Sequence, residues 1–134
     1  MHVGVEVVRT AGTQAGVVVC LDSAVTPANF IIAYLDGAGN MVVDKCVAGT
    51  YTNLISAAVT YSAGKEIKLV KDGTTVRAFY NDLAVGTVQT VSDAGIISNT
   101  KHGLFSTYEG NTLDNFRAWD TNSSYGILDR YIRE

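Results

Sequence analysis

The sequence predicts an all-β protein, a jelly-roll or sandwich of two antiparallel sheets, and three observations carry that prediction. Runs of four to eight β-favouring residues recur between turn signals along the chain. None of these runs has the length or the 3.6-residue period of a core helix. Val, Thr and Tyr are abundant, whereas charged residues make up only 17% of the chain, a balance suited to pleated, half-buried surfaces. Many short strands with regularly spaced turns bury their apolar faces best as two packed layers.

Taken in order, strands are expected near 3–10, 16–22, 30–36, 41–47, 53–60, 66–71, 75–80, 83–88, 102–107 and 113–119. Three connectors have a turn chemistry of their own. "DGAGN" (36–40) supplies Gly and Asn for positive φ, "KDGT" (71–74) holds an Asp-Gly pair, and "YNDL" (80–83) offers Asn-Asp for a tight hairpin. The segment "DSAVTPAN" (22–29) contains the single proline, Pro27. A residue that cannot donate to a ladder places this stretch in a loop at one end of the sandwich, where binding groups commonly sit. Period-two alternation turns Val76, Ala78 and Tyr80 to one side and Arg77, Phe79 and Asn81 to the other. It also turns Ile67 and Leu69 inward, Lys68 and Val70 outward, and Leu104 inward on its strand.

At 134 residues the chain fits one domain able to hold a core without staples. That domain is assigned to residues 1–120, with 121–134 as a C-terminal tail or short helix, because Ile127, Leu128, Tyr131 and Ile132 follow a cap-like Asn-Ser-Ser at helical spacing. The net charge is −3 with the ten Lys and Arg dispersed, which argues against a phosphate-backbone partner and so against nucleic acid. No apolar run reaches the ~20 residues of a membrane crossing, and the start shows no leader pattern. Met1 and His2 run directly into a strand, as at a boundary within a larger polypeptide. Cys20 and Cys46 fall late in strands that lie two spacings apart, about 9–10 Å, beyond the roughly 7 Å reach of a disulfide, and are expected to be free thiols.

The order of motifs, "AGVVVCLD", "NFIIAYLDGAGNMVVDK", "GKEIKLVKDGTTVRAFYNDLAVGTV" and the closing "HGLFSTYEGNTLDNFRAWD", resembles the concanavalin A-like lectin/glucanase superfamily in its laminin G-like branch. The resemblance runs from about residue 15 to 120. It implies a concanavalin A-like jelly roll of two curved sheets, used as an accessory carbohydrate-binding or adhesion module in extracellular or virion proteins. The chain departs from the glucanases of that superfamily, whose paired acids follow a Glu-x-Asp-x-x-Glu pattern: Glu6, Glu66, Glu109 and Glu134 are widely separated. Asn81-Asp82 also stands where many relatives have Asn-Gly, and the first strand has a short lead-in.

The candidate chemistry follows. Glycoside hydrolysis needs two carboxyls across a scissile bond, and only a pair assembled at a distance, such as Asp93 with Glu109, could supply it; no enzyme activity is expected. His102 lacks an adjacent nucleophile or acid, and Ser106 and Thr107 lack a nucleophile elbow. No cofactor is expected. The resemblance makes calcium the candidate cation, with Asp22, Asn29, Asp93, Asn99 and Asp114-Asn115 as oxygen donors, although each also serves as an ordinary turn-forming residue. Two functions compete. In one, Arg77, Phe79, Asn81, Tyr108 and Trp119 form a glycan-binding surface. In the other, the same aromatics are covered by other subunits, in a viral tail, an appendage or a homo-oligomer.

Overall fold

The computed structural model describes residues 1–120; the helical spacing at 127–132 lies outside them. Ten strands form, β1 (His2–Val8), β2 (Ala15–Leu21), β3 (Phe30–Leu35), β4 (Asn40–Val47), β5 (Thr50–Ala58), β6 (Lys65–Asp72), β7 (Thr75–Tyr80), β8 (Leu83–Thr90), β9 (Lys101–Ser106) and β10 (Thr112–Trp119), with one helical turn, α1 (Ala94–Ile97). They build two antiparallel five-stranded sheets, ordered β10-β1-β6-β7-β8 and β5-β4-β3-β2-β9. The expected jelly-roll sandwich is thus the observed fold, and the "LDNFRAW" strand does return beside the first one, pairing Val3 with Ala118.

The core lies between the sheets and follows the alternation. Val3, Val5 and Val7 of β1 with Ile67 and Leu69 of β6 face Val17, Ile31, Ala33, Leu35, Met41 and Val43 of the second sheet, all at most 1% exposed. Each such aliphatic side chain contributes about 1.5–3 kcal/mol relative to exposure. Lys71 takes the next inward position on β6; its stem is packed at 9% exposure while its ammonium donates to the Ile97 carbonyl at 3.2 Å. α1 was too short to show a period in the sequence. It plugs one end of the sandwich with buried Ile96, and Asp93 before it pairs with Lys45 at 2.8 Å.

Three local results refine the sequence reading. Asn81 and Asp82 both adopt left-handed φ, 53° and 66°, so this hairpin makes a type I′ turn without glycine, using the two side chains that best tolerate it. Strand β1 stops at Val8 rather than residue 10, because the Thr10 amide donates to the Asn111 side chain instead of a ladder. Leu104 was expected to pack inward, but it is 48% exposed. It shares a face with buried Val17, yet β9 is the edge strand and leaves one flank uncovered. Cys20 and Cys46 are free and buried. A bulge with φ 57° at Cys20 turns that side chain into the main core, whereas Cys46 belongs to a cluster on the other face of the sheet.

Candidate functional site

Paired residues of neighbouring strands share a face, so the register writes out the outer surface of the second sheet in rows. One row runs Phe105, Gly16, Tyr34, Val42, Ser56, and the next Gly103, Val18, Ile32, Asp44, Asn53. The third runs from Lys101 and Leu21 through Phe30 and Cys46 to Tyr51. An outward face of a sandwich is ordinarily polar. Here Phe30, Ile32 and Cys46 are buried on it, packed with Val18, Leu21, Tyr34 and Phe105 in a cluster separate from the main core.

A groove of about 570 Å³ lies on this surface, floored by Val18, Phe30, Ile32 and Phe105, flanked by Pro27 and Tyr51, and bordered by Lys101 and His102. Its aromatics are fixed edge-to-face: Tyr51 against Phe30 at 5.9 Å, and Tyr34 against Phe105 at 5.6 Å. The second pair meets across Gly16, where any Cβ would strike the Ala33 carbonyl oxygen and lie 2.6 Å from Tyr34 Cα. Tyr51 remains 58% exposed. A polar set adjoins the groove: Asn53 donates to Asp44 at 2.8 Å and the Tyr34 hydroxyl to Asp44 at 3.4 Å. Burial, then the Asp44 charge, pushes the Tyr34 phenol upward and keeps it a donor.

The loop bearing Pro27 is organised by its own side chains. Asp22 accepts from the Ala28 and Asn29 amides and from the Asn29 side chain at 3.0, 3.2 and 2.8 Å, and Ser23 accepts from the Val25 and Thr26 amides. The Asn29 side chain, then the Ala28 amide, holds the Asp22 carboxyl below its ordinary value. This wall is therefore preformed rather than assembled on binding.

His102 accepts the Cys20 amide proton on Nδ1 at 3.2 Å, which places the proton of the neutral ring on Nε2. Burial, then the Lys71 charge, lowers its pKa from 6.5; burial, then Lys68, does the same to His2. A depressed histidine resists a proton that the unfolded chain accepts. Stability is then full above about pH 6.5 and declines as pH falls below it. Urea midpoints should accordingly drop between pH 7.5 and 5.5, and His102→Asn should flatten that slope; a parent midpoint that rises on acidification would contradict the assignment.

The residues nominated from the sequence are distributed differently. Arg77, Phe79 and Trp119 share the outer face of the first sheet, in rows Trp119, His2, Val70, Arg77 and Arg117, Gly4, Lys68, Phe79. Arg77 and Trp119 stand three strand spacings apart, about 14 Å. Trp119 is stacked on His2 at 4.7 Å with Arg117 at 5.4 Å from its centroid, and Lys68 lies 5.2 Å over Phe79. The ring faces thus already carry partners from the chain itself. Asn81, in the turn after β7, and Tyr108, in the turn before β10, lie toward the opposite end of the sandwich from Arg77 and Trp119. The structure does not gather the five into one surface.

It does assemble a carboxylate pair that sequence spacing hid. Glu6 and Glu66 are direct cross-strand partners on the first sheet. Each is engaged, Glu66 with Arg117 at 2.7 Å and Glu6 with the Asn115 side chain at 2.8 Å. Asp93 pairs with Lys45 rather than with Glu109. The calcium donors do not converge: Asp22 and Asn29 bond each other, Asn99 donates to the Cys20 and Gly95 carbonyls, and Asp114 accepts the Asn115 amide. Among the described residues no three acidic, His or Cys side chains form a metal-sized cluster.

Phe30, Tyr34, Tyr51 and Phe105 were not singled out from the sequence. The signal was present in "FIIAYL", apolar on both faces, which marks a strand whose outer side is also covered or contacted.

Comparison with solved structures finds the same jelly-roll sandwich architecture elsewhere. A carbohydrate-binding module, CBM66 from Bacillus subtilis, superposes with a TM-score of 0.61 at 13% identity, over 86% of this chain and 71% of that one. Sheep galectin-11, solved in complex with glycerol, superposes with a TM-score of 0.64 at 8% identity, over 87% and 85%. At these identities the likenesses show the fold, a two-sheet jelly-roll sandwich. No protein-family model matches the chain, and no curated protein matches it by sequence.

Proposed function

We propose that the domain is a non-catalytic, lectin-like module that takes a saccharide in the groove on the outer face of its second sheet. The observation that carries this reading is the exposed Tyr51, held edge-on against Phe30 above an apolar floor and bordered by the Asp44–Asn53–Tyr34 set. A sugar ring combines an apolar C–H face with a rim of hydroxyls. It needs a flat aromatic and fixed donors and acceptors beside it, and this groove has both. The likeness to a carbohydrate-binding module and to a galectin supports the reading. A non-catalytic role is favoured because the acids nearest the groove are occupied, Asp44 by Asn53 and Asp22 by its own loop. A glycosidase instead needs two carboxyls facing across the bond it cleaves. Such a module would serve as an accessory or adhesion domain of an extracellular or virion protein.

The test is a glycan array beside light scattering, with the parent and Tyr51→Ala. The parent should retain a defined glycan class, and Tyr51→Ala should weaken it about tenfold, as for loss of one aromatic stacking contact. Because Tyr51 is exposed, the melting temperature should hold. A parent that binds no glycan but loses a stable dimer or trimer on Tyr51→Ala would replace this reading by the subunit-interface one.

A further inference from the structure

The two ends of the groove differ in charge, and the difference specifies the ligand further. We propose that the saccharide is an anionic oligosaccharide, carboxylated or sulfated, whose acidic group is received by Lys101 and His102 while its sugar rings lie on the aromatic floor. This rests on the saccharide reading above.

Length comes first. Tyr51 on β5 and Lys101 on β9 border the same groove from opposite edges of the sheet. Four strand spacings separate them, about 19 Å, which exceeds a single sugar ring and suits a short oligomer.

The second observation is the inventory of donors and acceptors at the Lys101 end. His102 keeps its Nε2 proton as a donor because Nδ1 is committed to the Cys20 amide. The residue borders both the groove and a second cavity of about 700 Å³ at the end of the sandwich. Lys71 lines that cavity with its charge held inside the fold, and the field of this charge reaches His102. Lys101 is exposed beside them with three ammonium donors. Asp93 is paired with Lys45, and Asp22 keeps its charge but turns its oxygens to the Ala28 and Asn29 amides of its own loop. Asp72 and Asp120 line the end cavity, so the anionic group stays in the groove beside Lys101 and does not pass behind His102.

A hydroxyl offered to such a place would use only its acceptor lone pairs and leave its own proton unmatched. A carboxylate or sulfate accepts from every side, and its bonds to an ammonium are charge-assisted and about twice as strong as neutral ones. At the other end the lining around Tyr51 and Phe30 carries no cation. The groove thus orients its ligand with the acidic group toward β9.

Calorimetry with the full chain decides the matter, using a short oligouronate, its carboxyl-reduced neutral counterpart and a sulfated oligosaccharide of similar length. The parent is expected to bind at least one anionic ligand about tenfold more tightly than the neutral one, with a preference that shrinks in high salt. Lys101→Gln should abolish that preference, while Tyr51→Ala should weaken charged and neutral ligands alike. Equal affinity for charged and reduced ligands would overturn the anionic assignment and leave the saccharide reading standing. Failure of all three to bind, on a glycan array as well, would sink both.

Discussion

Replacing Gly16 by alanine is expected to destabilise the domain by about 3 kcal/mol, at the upper end of what overpacking costs. The new methyl would strike the Ala33 carbonyl oxygen and lie 2.6 Å from Tyr34 Cα. These are backbone atoms of the paired strand, which no side-chain rotation can move aside. The β2–β3 ladder would have to open, and with it the seat of the Tyr34–Phe105 contact. Gly103→Ala is the control on the same face of the same sheet. There the nearest atom is Leu21 Cδ1 at 3.9 Å, an ordinary contact, and the change should stay within about 0.5 kcal/mol. Urea unfolding of the two variants gives the comparison directly; similar midpoints would show that β2 can shift away from β3.

The second large effect is expected at Tyr80, which is 3% exposed. Its hydroxyl donates to the Ser62 carbonyl and accepts from the Ser62 amide, both at 2.9 Å, tying down the connection between β5 and β6. Tyr80→Phe keeps the ring but strips two backbone groups of their partner, a loss of about 1–3 kcal/mol. The urea midpoint should fall with an unchanged m-value, and the Ser62 amide should exchange faster with solvent. Tyr61→Phe removes a single bond, from the Arg9 amide at 2.8 Å, at a half-buried site, and should cost less. An equal cost for the two would show that the double bond at Ser62 adds nothing.

The strands were legible because their determinants are local. Alternation placed Val76, Ala78 and Tyr80 inward and left Arg77 outward, and turn chemistry located the hairpins at Asp36, Gly73 and Asn81. What stayed hidden is set by which strands become neighbours. Glu6 and Glu66 meet only because β1 lies beside β6. Leu104 is half-exposed only because β9 ends its sheet. The aromatic groove draws on β2, β3, β5, β9 and the 22–29 loop, so no window of sequence contains it. Phe79 and Trp119 were conspicuous on their own strands. The rings that border the groove, such as Tyr51 and Phe105, become conspicuous only once the five strands of the second sheet are laid side by side.

The bulge between β4 and β5 has a further consequence. Two β5 residues stand where one would suffice beside Asp44, and the Asn53 side chain reaches back to occupy the Ile55 carbonyl at 3.1 Å. An outermost strand of nine residues is otherwise a template on which another extended chain can add. Bending it and filling one of its acceptors interrupts that template. The same irregularity anchors Asn53 to Asp44 beside the groove. Straightening β5, for instance by deleting Leu54, would therefore disturb the polar set and leave the sheet open to growth into fibrils, so the placement of that set and resistance to aggregation rest on one extra residue.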